Sequence, residues 1–104
     1  MNTRCLAVIA ALSISATAAA GDGEALLKQY NCSACHAVAS KAVGPSLIDI
    51  ATKYKGDKGA QARLEAKVRK GGAGSFGSMP MPPTAKTVSD DDIKTLVTWI
   101  LSQK

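Results

Sequence analysis

Apolar residues recur at three- and four-residue spacing in four stretches of the chain, separated by segments rich in polar residues, glycine and proline. Between Asp22 and Tyr30, the side chains of Leu26, Leu27 and Tyr30 mark a short amphipathic helix. Pro45 opens a second, carried by Leu47, Ile50, Ala51 and Tyr54 and ended by Gly56. A third runs from Ala60 to about Lys70, with Leu64 and Val68 on one face and Gly71 as the stop. The last is the clearest. Ser89 is a good N-cap, Asp92 follows at the third helical position, and Asp90 and Asp91 complement the helix dipole. Ile93, Leu96, Val97, Ile100 and Leu101, with Trp99, then form its apolar face. No stretch alternates as a strand does, so the pattern predicts an all-α fold in which the first and last helices pack together.

The opening 20 residues follow another rule. Arg4 is their only charge, Cys5 to Ala16 is an apolar run, and Ala18-Ala19-Ala20 supplies small residues before Gly21. This reads as a secretory signal cleaved after Ala20, too short to span a membrane. Cys5 lies before or within the apolar run, away from the place of a lipid-modified cysteine, so no lipid anchor is expected. Residues 21–104 then form one small exported domain with 12 basic and 8 acidic side chains. Only 21 of its residues are Leu, Ile, Val, Met, Phe, Tyr or Trp, a thin core that calls for a disulfide, a metal or a cofactor as a staple.

The remaining cysteines show which staple. Cys32-Ser33-Ala34-Cys35-His36 contains both of them and the one histidine of the chain. Cys-x-x-Cys-His is the attachment pattern of c-type haem: two thiols one helical turn apart each add to a vinyl group, and the neighbouring imidazole falls under the iron. A Cys32 to Cys35 disulfide suits an oxidising compartment, and a thioredoxin-like pair has the same spacing, but the latter needs a strand context that is missing. A closed zinc site needs four ligands, more than these three residues provide. One haem, attached through Cys32 and Cys35, is therefore expected, with the first and last helices meeting across one of its edges.

With one imidazole available, the second axial ligand has to be something else. Two methionines follow the signal, in Gly77-Ser78-Met79-Pro80-Met81-Pro82-Pro83. A thioether suits ferrous iron and raises the reduction potential. The three prolines hold this run extended, so Met81 reads as the ligand and Met79 as a gap-filler. Just upstream, Gly72-Ala73-Gly74-Ser75-Phe76-Gly77 matches a dinucleotide-binding fingerprint, but it follows a helix where that motif follows a strand. Its glycines read instead as a turn that lets the backbone approach the porphyrin.

These residues resemble the short bacterial class I cytochromes c, monohaem periplasmic carriers that donate to nitrite reductase or terminal oxidases. The resemblance covers residues 21–104 and rests on Cys32 to His36, Val43-Gly44-Pro45, Pro80-Met81-Pro82-Pro83 and the closing Trp99 to Lys104. It implies a small bundle of four to five helices wrapped around one covalently attached haem. It also implies His36 and Met81 as iron ligands, and a Pro45 carbonyl that accepts from the His36 ring. Three positions depart from the family pattern. Phe76 stands where a tryptophan often donates to a haem propionate, and Lys67 where an arginine does similar work. Thr84 replaces an asparagine that often touches the methionine sulfur, a role its hydroxyl is expected to fill in part.

The expected function is one-electron transfer in the periplasm between respiratory partners: a periplasmic reductase or oxidase, or a membrane cytochrome complex. An exposed haem edge near Ala34, Val38, Gly44 and Met79 would meet them, with Lys28, Lys41, Lys53, Lys55, Lys58 and Lys86 available for steering. No enzymatic activity, nucleic-acid partner or stable oligomer is expected. The competing class is a ligand-binding haem protein, a sensor or weak peroxidase, with a labile sixth ligand.

Overall fold

A computed structural model describes residues 9–12 and 21–104. The remainder of the expected leader, including its cleavage point, lies outside the described residues. Four α-helices follow in order: α1 (Gly21–Gln29), α2 (Leu47–Lys53), α3 (Ala60–Lys70) and α4 (Asp90–Leu101). A single 3-10 turn, Cys32–Ala34, lies between α1 and α2. Among the described residues there is no strand, only one antiparallel bridge between Gly72 and Met81.

The helix ends explain themselves. Ser46 caps α2 by accepting from the Asp49 N–H at 3.0 Å, and Ser89 caps α4 by accepting from the Asp92 N–H at 3.1 Å. The second helix therefore starts two residues beyond Pro45, not at it, which leaves the Pro45 carbonyl free for another partner. It also ends earlier than Gly56, because Tyr54 to Asp57 is drawn into a turn by Asp57 N–H donating to Tyr54 O at 3.0 Å. At its end α3 stops on Gly71, whose φ of 67° is the left-handed conformation a glycine adopts freely.

Each of α1, α2 and α3 packs against α4, and their backbones do not approach one another. Leu27, Leu47, Ile50, Leu96 and Ile100 form one buried cluster, and Val88, Ile93 and Val97 a second. The α1 to α4 crossing is close because Gly23 lies under Trp99: a Cβ there would fall 2.1 Å from the Trp99 Cβ. This pairing of first and last helices is as expected, but it sits behind the large cavity and lines none of it. The cavity belongs to α2, α3 and the loops.

Candidate functional site

The Cys32 to His36 motif is folded by its own backbone. Asn31, with φ 58°, breaks α1, and the chain then turns tightly enough for Cys35 N–H and His36 N–H both to donate to Cys32 O, at 3.2 and 3.0 Å. Both thiols are free and half-buried. Cys32 packs against the core cluster, and burial pushes its thiol above the ordinary range.

Three backbone bonds then tie this motif to the start of α2: Gly44 to Cys35, Leu47 to Ala37 and Ile48 to Val38. They bring His36 Nδ1 to 2.8 Å from the Pro45 carbonyl oxygen. A carbonyl can only accept, so Nδ1 carries the proton and Nε2 presents a lone pair. Gly44 lies against the same ring, where a Cβ would meet Cε1 at 2.6 Å.

Met81 is positioned by backbone alone. Its N–H donates to Gly72 O and its carbonyl accepts from Gly72 N–H, each at 2.9 Å. The approach requires glycine at the preceding residue as well, since a Cβ on Gly71 would sit 2.3 Å from Met81 O. Beyond the prolines, Thr84 donates from its N–H to Arg69 O at 3.3 Å and from its hydroxyl to Val68 O at 2.6 Å. That hydroxyl proton is committed to Val68, which corrects the expectation that Thr84 serves the methionine sulfur. Arg69 completes the support by donating to Ala85 O, Val88 O and Asp90, at 3.1, 2.7 and 2.7 Å.

Between these two segments lies a cavity of about 520 Å³, within the size range of small-molecule and cofactor sites. Cys35, His36, Pro45, Lys67, Phe76 and Met81 all line it, together with apolar Ile50 and Leu64. Cys32 borders the core rather than the cavity wall. A flat, largely apolar group with an iron centre fits this donor set: one imidazole nitrogen, the thioethers of Met81 and Met79, and the Cys35 thiol, with the Cys32 thiol one turn behind it. A cluster of three His, Cys, Asp or Glu side chains, as zinc would need, is absent among the described residues.

Lys67 and Phe76 occupy different settings. Lys67 is half-buried on the cavity wall near Gly72 and has no ion pair among the described residues. Phe76 is 43% exposed, and the Lys53 ammonium stands 4.4 Å from its ring centroid while also donating to Ser75 O. Lys53 thus holds the glycine-rich loop from outside. Sequence reasoning missed this contact, the Gly72 bridge and the Arg69 anchor. The only trace of them was the density of glycines after α3.

The sequence matches the Cytochrome c family over residues 20–104. Cytochrome c-552 of Nitrosomonas europaea is 42% identical over 104 residues, the full length of both chains. Cytochrome c-551 of Pseudomonas aeruginosa is 48% identical over 85 residues, 82% of this chain and 80% of that protein. The crystal structure of wild-type Nitrosomonas europaea cytochrome c552 superposes with a TM-score of 0.74 at 47% identity, over 78% of this chain and 99% of that one. The chain belongs to the cytochrome c family, and is a haem-based electron carrier whose haem is of the covalently attached c type.

Proposed function

We propose that residues 1–20 are a leader removed on export, and that residues 21–104 work in the periplasm as a soluble one-electron shuttle. Cys32 and Cys35 would hold the haem through thioether bonds, and His36 Nε2 and Met81 Sδ would bind its iron. The haem supplies the Fe(III)/Fe(II) couple; the chain holds it, tunes it and excludes water. One observation carries the ligand assignment. The His36 ring is fixed through Nδ1 by Pro45, leaving Nε2 free in a cavity that the backbone-held Met81 shares.

Lys67 is assigned to a propionate, because it offers an unpaired charge at the cavity wall, though not the planar fork of an arginine. Phe76 has no polar hydrogen to donate and acts as a hydrophobic cover, braced by Lys53. With His36 and Met81 both engaged on the iron, no position would remain for a substrate, which supports a carrier without enzymatic activity. No helix among the described residues is long and apolar enough to cross a membrane. Val43, Phe76 and Met79 are exposed apolar side chains that line the cavity, suited to brief, small contacts with redox proteins.

The visible spectrum of the ferric protein tests this reading. A weak long-wavelength sulfur-to-iron band is expected, and it should survive Met79→Leu. A high-spin ferric spectrum, with ready carbon monoxide binding after reduction, would replace the shuttle by a ligand-binding sensor or weak peroxidase.

A further inference from the structure

The loop between Gly72 and Met81 contains a mismatch in length. Gly74 N–H donates to Gly77 O at 2.9 Å, and Gly72 and Met81 exchange both of their backbone bonds. Between these two ties one side of the loop has a single residue, Ala73, whereas the other has Ser78, Met79 and Pro80. The second side is therefore two residues too long, and Met79 lies at the centre of the surplus. Its side chain is 67% exposed at the rim of the cavity that Met81 lines.

From this mismatch we infer that Met79 is a reserve thioether ligand, delivered by a two-residue slip of the segment along Gly72. The inference rests on Met81 being the resident ligand. Side chains of an extended segment return to the same face every second residue, so the slip carries Met79 into the orientation Met81 held. The backbone permits a slip of two residues and forbids one. Met79 and Met81 each have an N–H to give Gly72 O, whereas Pro80 between them has none.

Both ends of the loop keep their anchors. The Gly74 to Gly77 bond stays in place, and Thr84 stays on Arg69 and Val68. Only the surplus moves, from residues 78–80 to residues 80–83. Pro80, Pro82 and Pro83 resist bending, and residues that precede a proline are kept extended, so the surplus is better housed beside Ser78. Met81 therefore holds the iron in the unmodified protein, and Met79 takes over when the Met81 thioether is lost.

The test uses the haem-loaded protein with Met81→Leu, compared with Met79→Leu/Met81→Leu. The single variant should keep the sulfur-to-iron band and the double variant should lose it. Bromoacetate provides a readout independent of the spectrum. Met79 should be alkylated readily in the unsubstituted protein and about tenfold more slowly in Met81→Leu, because a thioether on iron is protected. Identical high-spin spectra for the two variants, with Met79 undiminished in reactivity, would overturn the proposal.

Should Met81→Leu fail to accumulate with haem, Pro82→Ala keeps both thioethers and loosens the chain where the surplus must go. The reduced Pro82→Ala protein should show two ring-shifted methionine methyl signals, one of them removed by adding Met79→Leu. A single signal indifferent to Met79→Leu overturns the inference too. Loss of the band in Met79→Leu alone would instead refute the assignment of Met81.

Discussion

His36 is held by its side chain and Met81 only by its backbone, although each lies nine positions from its main partner. On the histidine side, the ring nitrogen donates to Pro45, and Gly44 lies flat against the imidazole, so the ring is oriented before anything binds it. On the methionine side, the Gly72 bridge places the Cα, and among the described residues no hydrogen bond reaches the thioether. The difference assigns the two sides different duties. The imidazole side sets geometry, and under the proposed ligation the thioether side would depend on the iron to complete it.

The largest expected effect comes from removing what lets Met81 approach. Gly71→Ala would drive a Cβ into the Met81 and Pro82 backbone and impose a left-handed φ on alanine. It should cost about 3 kcal/mol in denaturant unfolding and abolish the sulfur-to-iron band. Gly44→Ala, whose clash is with the edge of one side chain rather than with backbone and which imposes no left-handed φ, should cost less and leave the band in place. Equal losses from the two would erase the contrast.

Arg69→Ala comes next. It removes three donated bonds that secure the exit of the methionine loop, and should cost about 2 kcal/mol. The band should then disappear at a lower denaturant concentration than helical circular dichroism does; coincident transitions would show the loop and the helices to be one unit.

The two N-caps sharpen the comparison at smaller scale. Ser46 is buried immediately after Pro45, and Ser46→Ala should cost about 1–2 kcal/mol, whereas the exposed Ser89 should cost about 0.5–1 kcal/mol when replaced by alanine. Thermal unfolding of the two variants measures the order, and a reversed order would mean the proximal side is the softer one.

The smallest effect depends on pH. Tyr30, two residues before Cys32, donates to Asp92 at 2.5 Å and so links the entry of the haem motif to the start of α4. That hydrogen bond, then desolvation, then the carboxylate charge hold its phenol above the usual range. A raised folded value means that the native state keeps its proton longer than the unfolded chain does. The stabilisation is therefore complete below the ordinary phenol value of about 10 and is lost as pH rises through the folded one. Tyr30→Phe should flatten this alkaline decline in stability curves, and an unchanged decline would remove the bond from the account.

The helices were legible in the sequence because periodicity and caps are local signals. α3 runs over the residues its apolar spacing predicts, and Ser89 caps α4 as read. The start of α2 was misplaced because proline is favoured at the first helical turn, while here Ser46 is the better cap and Pro45 turns its carbonyl to His36. The attachment motif was legible because its chemistry is confined to five neighbouring residues. The loop was not. Its order comes from Gly72 meeting Met81, Arg69 meeting Ala85 and Val88, and Lys53 meeting Phe76, pairings that leave no period behind.

The hub position of α4 also governs the order of events during synthesis. Chains grow from the amino end, so the helix on which α1, α2 and α3 all depend is the last to be made. Until it arrives, those three have no common surface to close upon. Once formed, the twelve residues of α4 act as the clasp that closes the other three helices together.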